Sequence, residues 1–147
     1  MRKKLFELSE TLKIPLLHCD MFPYSGEQTI NLGLGESNAI NTATGMSYYS
    51  PVFLYGVCGF LLHRFEQLKL NAKNAGKIIL FNAGGSNFDC YKDFGIGHTC
   101  CEDLELAKAL KIPVYTPDYE NFEETVSEIL LNTEGLSLVR LGSDTRV

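Results

Sequence analysis

The apolar residues of this chain follow two alternating spacings. Segments with an apolar residue every three or four positions are typical of amphipathic helices, and short continuous apolar runs are typical of buried strands. The first spacing predicts helices over residues 1–13, 36–49, 60–72, 101–110 and 119–131. The second predicts strands over residues 14–19, 30–32, 51–57, 77–82, 113–115 and 136–141.

The alternation of strands and helices predicts the fold class. Strands that are apolar at successive positions are typical of a parallel sheet covered by helices on both faces. We therefore expect an α/β fold with three α/β/α layers around a mostly parallel sheet of about six strands. No linker, repeat or compositional break interrupts the 147 residues, of which 45% are hydrophobic, so residues 1–147 are expected to form a single domain.

Charge and hydropathy exclude several classes of partner. The net charge of −5 argues against a general nucleic-acid binder, because such proteins need basic surfaces that replace counterions on phosphates. Apolar stretches are interrupted within about 18 residues, so we expect no transmembrane helix and no membrane partner. The amino terminus has no long apolar core or cleavage site, so no signal peptide is expected.

The cysteines indicate a reducing compartment. There are five, and their odd number and the adjacent Cys100 and Cys101 do not suggest a disulfide framework. No C-x-x-C spacing occurs, so we expect no structural zinc site and no metal ligands in this chain. We expect reduced, mostly buried thiols and a cytoplasmic location.

Three polar segments follow predicted strands, where open α/β sheets bind their ligands. The first, NLGLGESNAI over residues 31–40, places Gly33, Gly35 and Ala39 in a pattern that mimics a dinucleotide-binding fingerprint. The strand over 51–57, however, ends without the acidic residue that would hold a ribose. In one interpretation the glycines turn the chain into a helix that Glu36 caps; in another, Glu36 is a proton partner at the ligand-binding edge.

The other two segments carry aromatic residues and histidines. Val57, Phe60 and His63 are spaced three apart, which is typical of a core stripe, although Phe60 at the sheet edge would also suit stacking on a planar ring. His98 follows a polar loop over residues 83–97 and precedes a helix, which favours proton transfer, although a structural role is the common one for a lone histidine. His18 lies within a predicted strand, so we expect it to be buried or to support the site.

Taken in order, these segments resemble the pyrimidine-binding domain of transketolase-like thiamine diphosphate enzymes, a group that includes transketolase and deoxyxylulose-phosphate synthase. The likeness runs from about residue 16 to residue 142. The stretch 31–40 resembles the family's glycine-x-glutamate-x-asparagine motif and places Glu36 on the cofactor-activating glutamate. Residues 60–68, FLLHRFEQL, resemble Phe-Leu-x-Arg-x-Tyr-Asp-Gln and place Phe60 on the ring-stacking phenylalanine. Residues 95–103, GIGHTCCED, resemble Gly-Pro-Thr-His-Gln-x-x-Glu-Asp and place His98 on a substrate-facing catalytic histidine.

The resemblance also implies roles for neighbouring positions. Asp20 falls where the family has an aspartate near the cofactor, after the first strand. Val57 stands in place of a third pocket aromatic, and His63 in place of the usual arginine or tyrosine, so both are expected to line the cofactor pocket. Thr99 replaces the glutamine that follows the histidine in the family, which leaves the substrate preference open.

The resemblance implies a chemistry for these residues. Glu36 would hydrogen-bond a ring nitrogen of the coenzyme's aminopyrimidine and share a proton with it, and Phe60 would fix the plane of that ring. His98 would move protons on the hydroxyls of a sugar phosphate during transfer of a two-carbon ketol unit. This chain would hold only the pyrimidine end of thiamine diphosphate.

The resemblance further implies a partner. The chain has no glycine-aspartate-glycine…asparagine motif, with which the family's diphosphate domain holds magnesium or calcium. A diphosphate-binding subunit with that motif is therefore expected, in an α2β2 assembly whose copies of this chain pair through the helix that begins at Glu36. Small residues on that helix would permit close packing: Ser37, Ala39, Thr42, Ala43 and Gly45.

Three alternatives remain open at this level. The chain is also compatible with a subunit of a thiamine diphosphate-dependent 2-keto acid decarboxylase, which divides its domains between chains in the same way. A second alternative is a non-catalytic binding module that keeps the fold alone. A third is a free-standing nucleotide binder that uses residues 33–39.

Overall fold

In the part of the chain that the structure describes, six strands form one sheet in which every neighbouring pair is parallel. The computed structural model describes residues 1–85 and 92–142. The strands are β1 (Leu16–His18), β2 (Thr29–Asn31), β3 (Val52–Val57), β4 (Ile78–Ala83), β5 (Val114–Tyr115) and β6 (Leu136–Arg140). Their order across the sheet is β2-β1-β3-β4-β6-β5.

Helices cover both faces of the sheet. They are α1 (Arg2–Leu12), α2 (Glu36–Ser47), α3 (Cys58–Leu62), α4 (Phe65–Leu70), α5 (Asp103–Leu110) and α6 (Phe122–Asn132). Short 3-10 helices span Ala72–Asn74, Lys92–Phe94 and Ile96–His98. Residues of α1 and α6 pack in one core and those of α2 to α5 in the other, which confirms the predicted three-layer α/β/α fold.

The two central strands explain why the sequence pattern is continuous rather than alternating. Every residue of β3 and β4 is buried. Leu54 and Leu80 enter the core beneath α2 to α5, whereas Phe53 and Phe81 enter the opposite core, where their rings meet edge to face at 5.2 Å. A strand with helices on both faces needs apolar side chains at successive positions, as expected from its composition.

One predicted helix is divided in the structure. In place of a single helix over 60–72, α3 begins directly after β3 at Cys58, and the chain leaves the helical conformation at Arg64, whose ψ is 41°. Leu61 and Leu68, on either side of the break, are both fully buried in the same core. The apolar spacing therefore continues through the break, which is why it predicts one helix rather than two.

The strand order creates a crevice between β1 and β3. The connection that leaves β1 leads to β2 on one side, and the connection that leaves β3 leads to β4 on the other. Such a point of divergence is where open α/β sheets bind ligands, beyond the carboxyl ends of the strands. Among the described residues, no helix has the length and apolar character needed to cross a membrane.

Candidate functional site

The ends of β1 and β2 are tied together by one side-chain amide. The Asn31 amide oxygen accepts hydrogen bonds from the backbone N–H groups of Asp20, at 3.1 Å, and Gly33, at 2.9 Å. Both donors have left-handed backbones, with φ of 53° at Asp20 and 62° at Gly33. The sequence pattern gives Asn31 no role in catalysis or binding; its place at the end of β2, two residues before Gly33, is the local signal for this turn.

Glu36 is the first residue of α2 and is half-buried at the crevice. Gly35 is the N-cap residue, and no side-chain hydrogen bond caps the helix, so the interpretation of Glu36 as a cap is wrong. Elsewhere in residues 1–85 and 92–142, no donor hydrogen-bonds or ion-pairs with the Glu36 carboxylate. Its oxygens therefore remain available to a ligand.

The pKa of the Cys19 thiol indicates that Glu36 lies close to the end of β1. Burial is the main cause that raises the pKa of the Cys19 thiol to about 11, and the negative charge of Glu36 is the second. The Gly35 backbone N–H donates to the sulfur and opposes this shift, while the charge of Asp20 adds to it. The carboxylate of Glu36, the thiol and the Asp20 side chain thus occupy the same edge of the sheet.

Phe60 and His98 are in direct contact. Their ring centroids are 5.0 Å apart at an interplanar angle of 78°, and both residues are half-buried. The close approach depends on Gly59, where a Cβ would lie 3.2 Å from the Gly97 carbonyl oxygen. The structure thus brings together the second and third segments of the sequence analysis.

His63 meets two residues that the sequence analysis did not assign. Its Nε2 lies 2.9 Å from a carboxylate oxygen of Glu102 and 3.9 Å from the Cys100 sulfur. The hydrogen bond with His63 is the main cause that lowers the pKa of Glu102. Since His63 and Cys100 are 37 positions apart, no local spacing in the sequence indicates this cluster.

A cavity of about 210 Å³ joins the beginning of α2 to the corner between α3 and α4. Ser37, His63 and Gln67 contribute to its lining. The Gln67 side-chain oxygen is buried and has no hydrogen-bond partner within the described part of the chain. The first and second segments therefore face one another across a polar space.

The remaining predicted residues differ in their exposure. Val57 is only 2% exposed, so it offers little surface to a ligand, whereas Asp20 is exposed. His18 is buried as expected, at 4% exposure, and burial lowers its pKa. Its Nδ1 has no hydrogen-bond partner among the residues described, and the side chain lines a second cavity, of about 280 Å³.

The small residues of α2 do not all face outward. Ala39 and Ala43 are fully buried against the chain's own sheet, so the expectation that they pack against a second helix is wrong. Their burial follows from the four-residue spacing that places both on the core side of α2. Ser37, Thr42 and Gly45 remain partly or fully exposed.

The loop predicted over 83–97 is described only in part. Residues 86–91, which include Cys90, lie outside the described part of the chain. The 3-10 helices Lys92–Phe94 and Ile96–His98 occupy the second half of the loop.

Comparison with known proteins adds no identification: no protein-family model matches the chain, and no curated protein matches it significantly.

Proposed function

We propose that this chain is the pyrimidine-binding subunit of a split, thiamine diphosphate-dependent enzyme of the transketolase type. The observation that carries the proposal is that Glu36, Phe60 and His98, which come from three separate segments, all lie at the carboxyl edge of the sheet. These are the positions that the sequence resemblance assigns to cofactor activation, ring stacking and substrate proton transfer.

The residues fit the aminopyrimidine end of the coenzyme. A ring nitrogen of that group needs a carboxylate without a competing donor, and Glu36 has neither a hydrogen bond nor an ion pair from the described residues. A flat ring needs an aromatic surface that is not wholly covered, and Phe60 is half-buried. The helices that carry them, α2 and α3, are in contact with each other.

Each residue has a defined task in this proposal. When bound, the coenzyme supplies an electron sink for the carbon–carbon bond that is broken and remade. Glu36 holds a proton at the ring nitrogen, and Phe60 fixes the orientation of the ring. His98 exchanges protons with a substrate hydroxyl, and its contact with Phe60 keeps the imidazole beside the ring.

The proposal assigns the diphosphate and its metal ion to a second polypeptide. The glycine-aspartate-glycine…asparagine motif is the expected mark of that partner, because magnesium and calcium prefer oxygen ligands. The complete site then forms between the two chains, with sugar phosphates as substrates.

Reconstitution with a partner tests the proposal. This chain is co-expressed with a chain that carries the motif and is encoded beside it, and ketol transfer between sugar phosphates is measured with thiamine diphosphate and magnesium. We expect activity from the wild type, its loss in Glu36→Gln, and its retention in Glu128→Gln, a matched change on the exposed side of α6. Full activity in Glu36→Gln contradicts the proposal.

Calorimetry separates the proposal from a non-catalytic module. Thiamine diphosphate and magnesium are titrated into the two-chain mixture and into each chain alone. We expect binding that is tightest in the mixture and weaker with Glu36→Gln. Equal affinity of the partner chain with and without this subunit contradicts the assignment of the pyrimidine end to this chain.

A further inference from the structure

Three side chains of different chemistry converge at the junction between α3 and the segment that precedes α5. They are the imidazole of His63, the thiol of Cys100 and the carboxylate of Glu102, and their potential ligand atoms all lie within 4.8 Å of one another. Two of them come from one short stretch of the chain and the third from another, so the cluster is created by the fold.

We propose that His63, Cys100 and Glu102 bind a divalent transition-metal ion of the zinc class. Thiolate sulfur, imidazole nitrogen and carboxylate oxygen are the three donor types found in protein zinc sites. The thiolate disfavours magnesium and calcium, which prefer oxygen ligands, and favours softer ions. This inference goes beyond the proposed function and does not depend on it.

The distances suit an ion of this size. Bonds of about 2.3 Å to sulfur and about 2.0 Å to nitrogen and oxygen place tetrahedral ligand atoms about 3.3–3.6 Å apart. His63 Nε2 lies 2.9 Å from Glu102 and 3.9 Å from the Cys100 sulfur. The first separation is shorter and the second longer than this range, and the third pair, Cys100 and Glu102, lies within 4.8 Å. Shifts of about one ångström at the exposed side-chain ends of His63 and Glu102 therefore bring the three atoms to one ion.

Burial defines the shape of the site. Cys100 is only 3% exposed and forms its inner end, whereas the side chains of His63 and Glu102 are 40% and 52% exposed and form its rim. An ion held by these three ligands has its fourth position toward solvent, where a water molecule fits. Three protein ligands with one open position are typical of reactive rather than purely structural zinc sites.

Both ligand-bearing segments are held in place. The His63 backbone N–H donates to the Gly59 carbonyl at 3.0 Å, and the imidazole packs so closely that a Cβ at Gly59 would lie 3.3 Å from it. On the other side, Asp103, next to Glu102, forms a buried ion pair with Arg140. Such support lowers the cost of ordering the ligands around an ion.

Ion binding releases the thiol proton of Cys100 to solvent. It also requires that His63 carry its proton on Nδ1, because Nε2 must donate its lone pair to the ion. Glu102 then exchanges its hydrogen bond from His63 for a bond to the same ion.

Cobalt(II) provides the direct test, since it substitutes for zinc and gives a near-ultraviolet charge-transfer band when a thiolate binds it. We expect one equivalent of cobalt to produce this band in the wild type and zinc to displace it. Cys100→Ser should abolish the band, whereas Cys101→Ser should keep it, because Cys101 is the adjacent but exposed cysteine. An absent band in the wild type, or a band that survives Cys100→Ser, overturns the proposal.

Rim variants keep the test informative if Cys100→Ser does not fold. Glu102→Gln and His63→Gln change partly exposed side chains, and circular dichroism checks that both are folded. We expect both to retain the thiolate band but to bind zinc at least about 10-fold more weakly, since even groups outside the ligand shell change metal affinity by about 10–100-fold. Unchanged zinc affinity in both folded variants also overturns the proposal.

Discussion

Arg140 Nε donates a hydrogen bond to Asp103 Oδ2 at 2.7 Å, and the two side chains are 7% and 0% exposed. The pair joins the end of β6 to the first turn of α5. It thereby holds the segment just before α5, which contains His98 and Cys100. Because both charges are buried, their attraction offsets part of the cost of removing them from water.

Removal of one partner of this pair is expected to destabilise the fold. Asp103→Ala leaves the Arg140 guanidinium without its carboxylate in a buried position, and such losses cost about 3–5 kcal/mol. Glu105→Ala, an exposed change in the same helical turn, should cost less than about 1 kcal/mol. Urea unfolding followed by circular dichroism measures both, and equal effects of the two variants would contradict this role of the pair.

The thiol of Cys19 is expected to react slowly with iodoacetamide. Its pKa of about 11 leaves roughly a thousandth of it as the reactive thiolate at pH 8, whereas Cys101 is exposed. Labelling at pH 8, mapped by mass spectrometry of peptides, should therefore modify Cys101 well before Cys19.

The same experiment locates the Glu36 carboxylate without any cofactor. Glu36→Gln removes a negative charge that raises the pKa of Cys19, so labelling of Cys19 should become several-fold faster. The rate at Cys101 serves as the internal control, and Glu128→Gln as the matched variant. An unchanged Cys19 rate in Glu36→Gln would show that the carboxylate does not face the end of β1.

The sequence pattern predicts the layers of this fold well, because a strand that is buried on both faces has apolar residues at successive positions. Strand β4 has six buried residues, and Asn82 is the one polar residue among them, so residues 78–81 form a continuous apolar run that predicts a strand. The division between α3 and α4 does not change the apolar spacing, because Leu61 and Leu68 both lie in the core. Backbone conformation at Arg64, not hydrophobic spacing, determines that break.

The site is predictable only where its residues are close in sequence to glycine-rich turns. Glu36 follows two glycines, and His98 follows a polar loop, so both stand out. The contact of His63 with Cys100 and Glu102 arises from packing between distant segments and has no local signal. The sequence also does not show which side of α2 faces the core. Ala39 and Ala43 are small residues suited to a helix interface, but their own sheet covers them.

His18 is expected to make stability depend on pH. Burial lowers its pKa below the ordinary value of 6.5, while the charge of Asp20 partly opposes this. The unfolded chain therefore binds the proton more readily, so the contribution of His18 to stability is complete above about pH 6.5 and is lost as the pH falls below it.

A non-titrating variant isolates this contribution. The free energy of unfolding is measured in urea between pH 7.5 and about pH 5 for the wild type and His18→Gln, so that carboxylates common to both cancel. We expect the wild type to lose more stability than the variant over this range. Parallel curves for the two proteins would contradict a lowered pKa at His18.

Gly45 offers a test of whether the exposed side of α2 pairs with a second copy of the chain. A Cβ at Gly45 would meet no atom within 4 Å, so Gly45→Ala should stabilise the fold by about 0.5–1 kcal/mol through helix propensity alone. Gly45→Arg should also fold, but it places a long charged side chain where α2 would meet its copy.

Sedimentation velocity measures the effect on self-association. We expect Gly45→Arg to shift the wild-type assembly toward smaller species, whereas Glu128→Arg, on the opposite face of the sheet, should not. Assembly that is equally insensitive to both changes would place any self-association elsewhere than on α2, and the fold of each variant is verified by its unfolding transition.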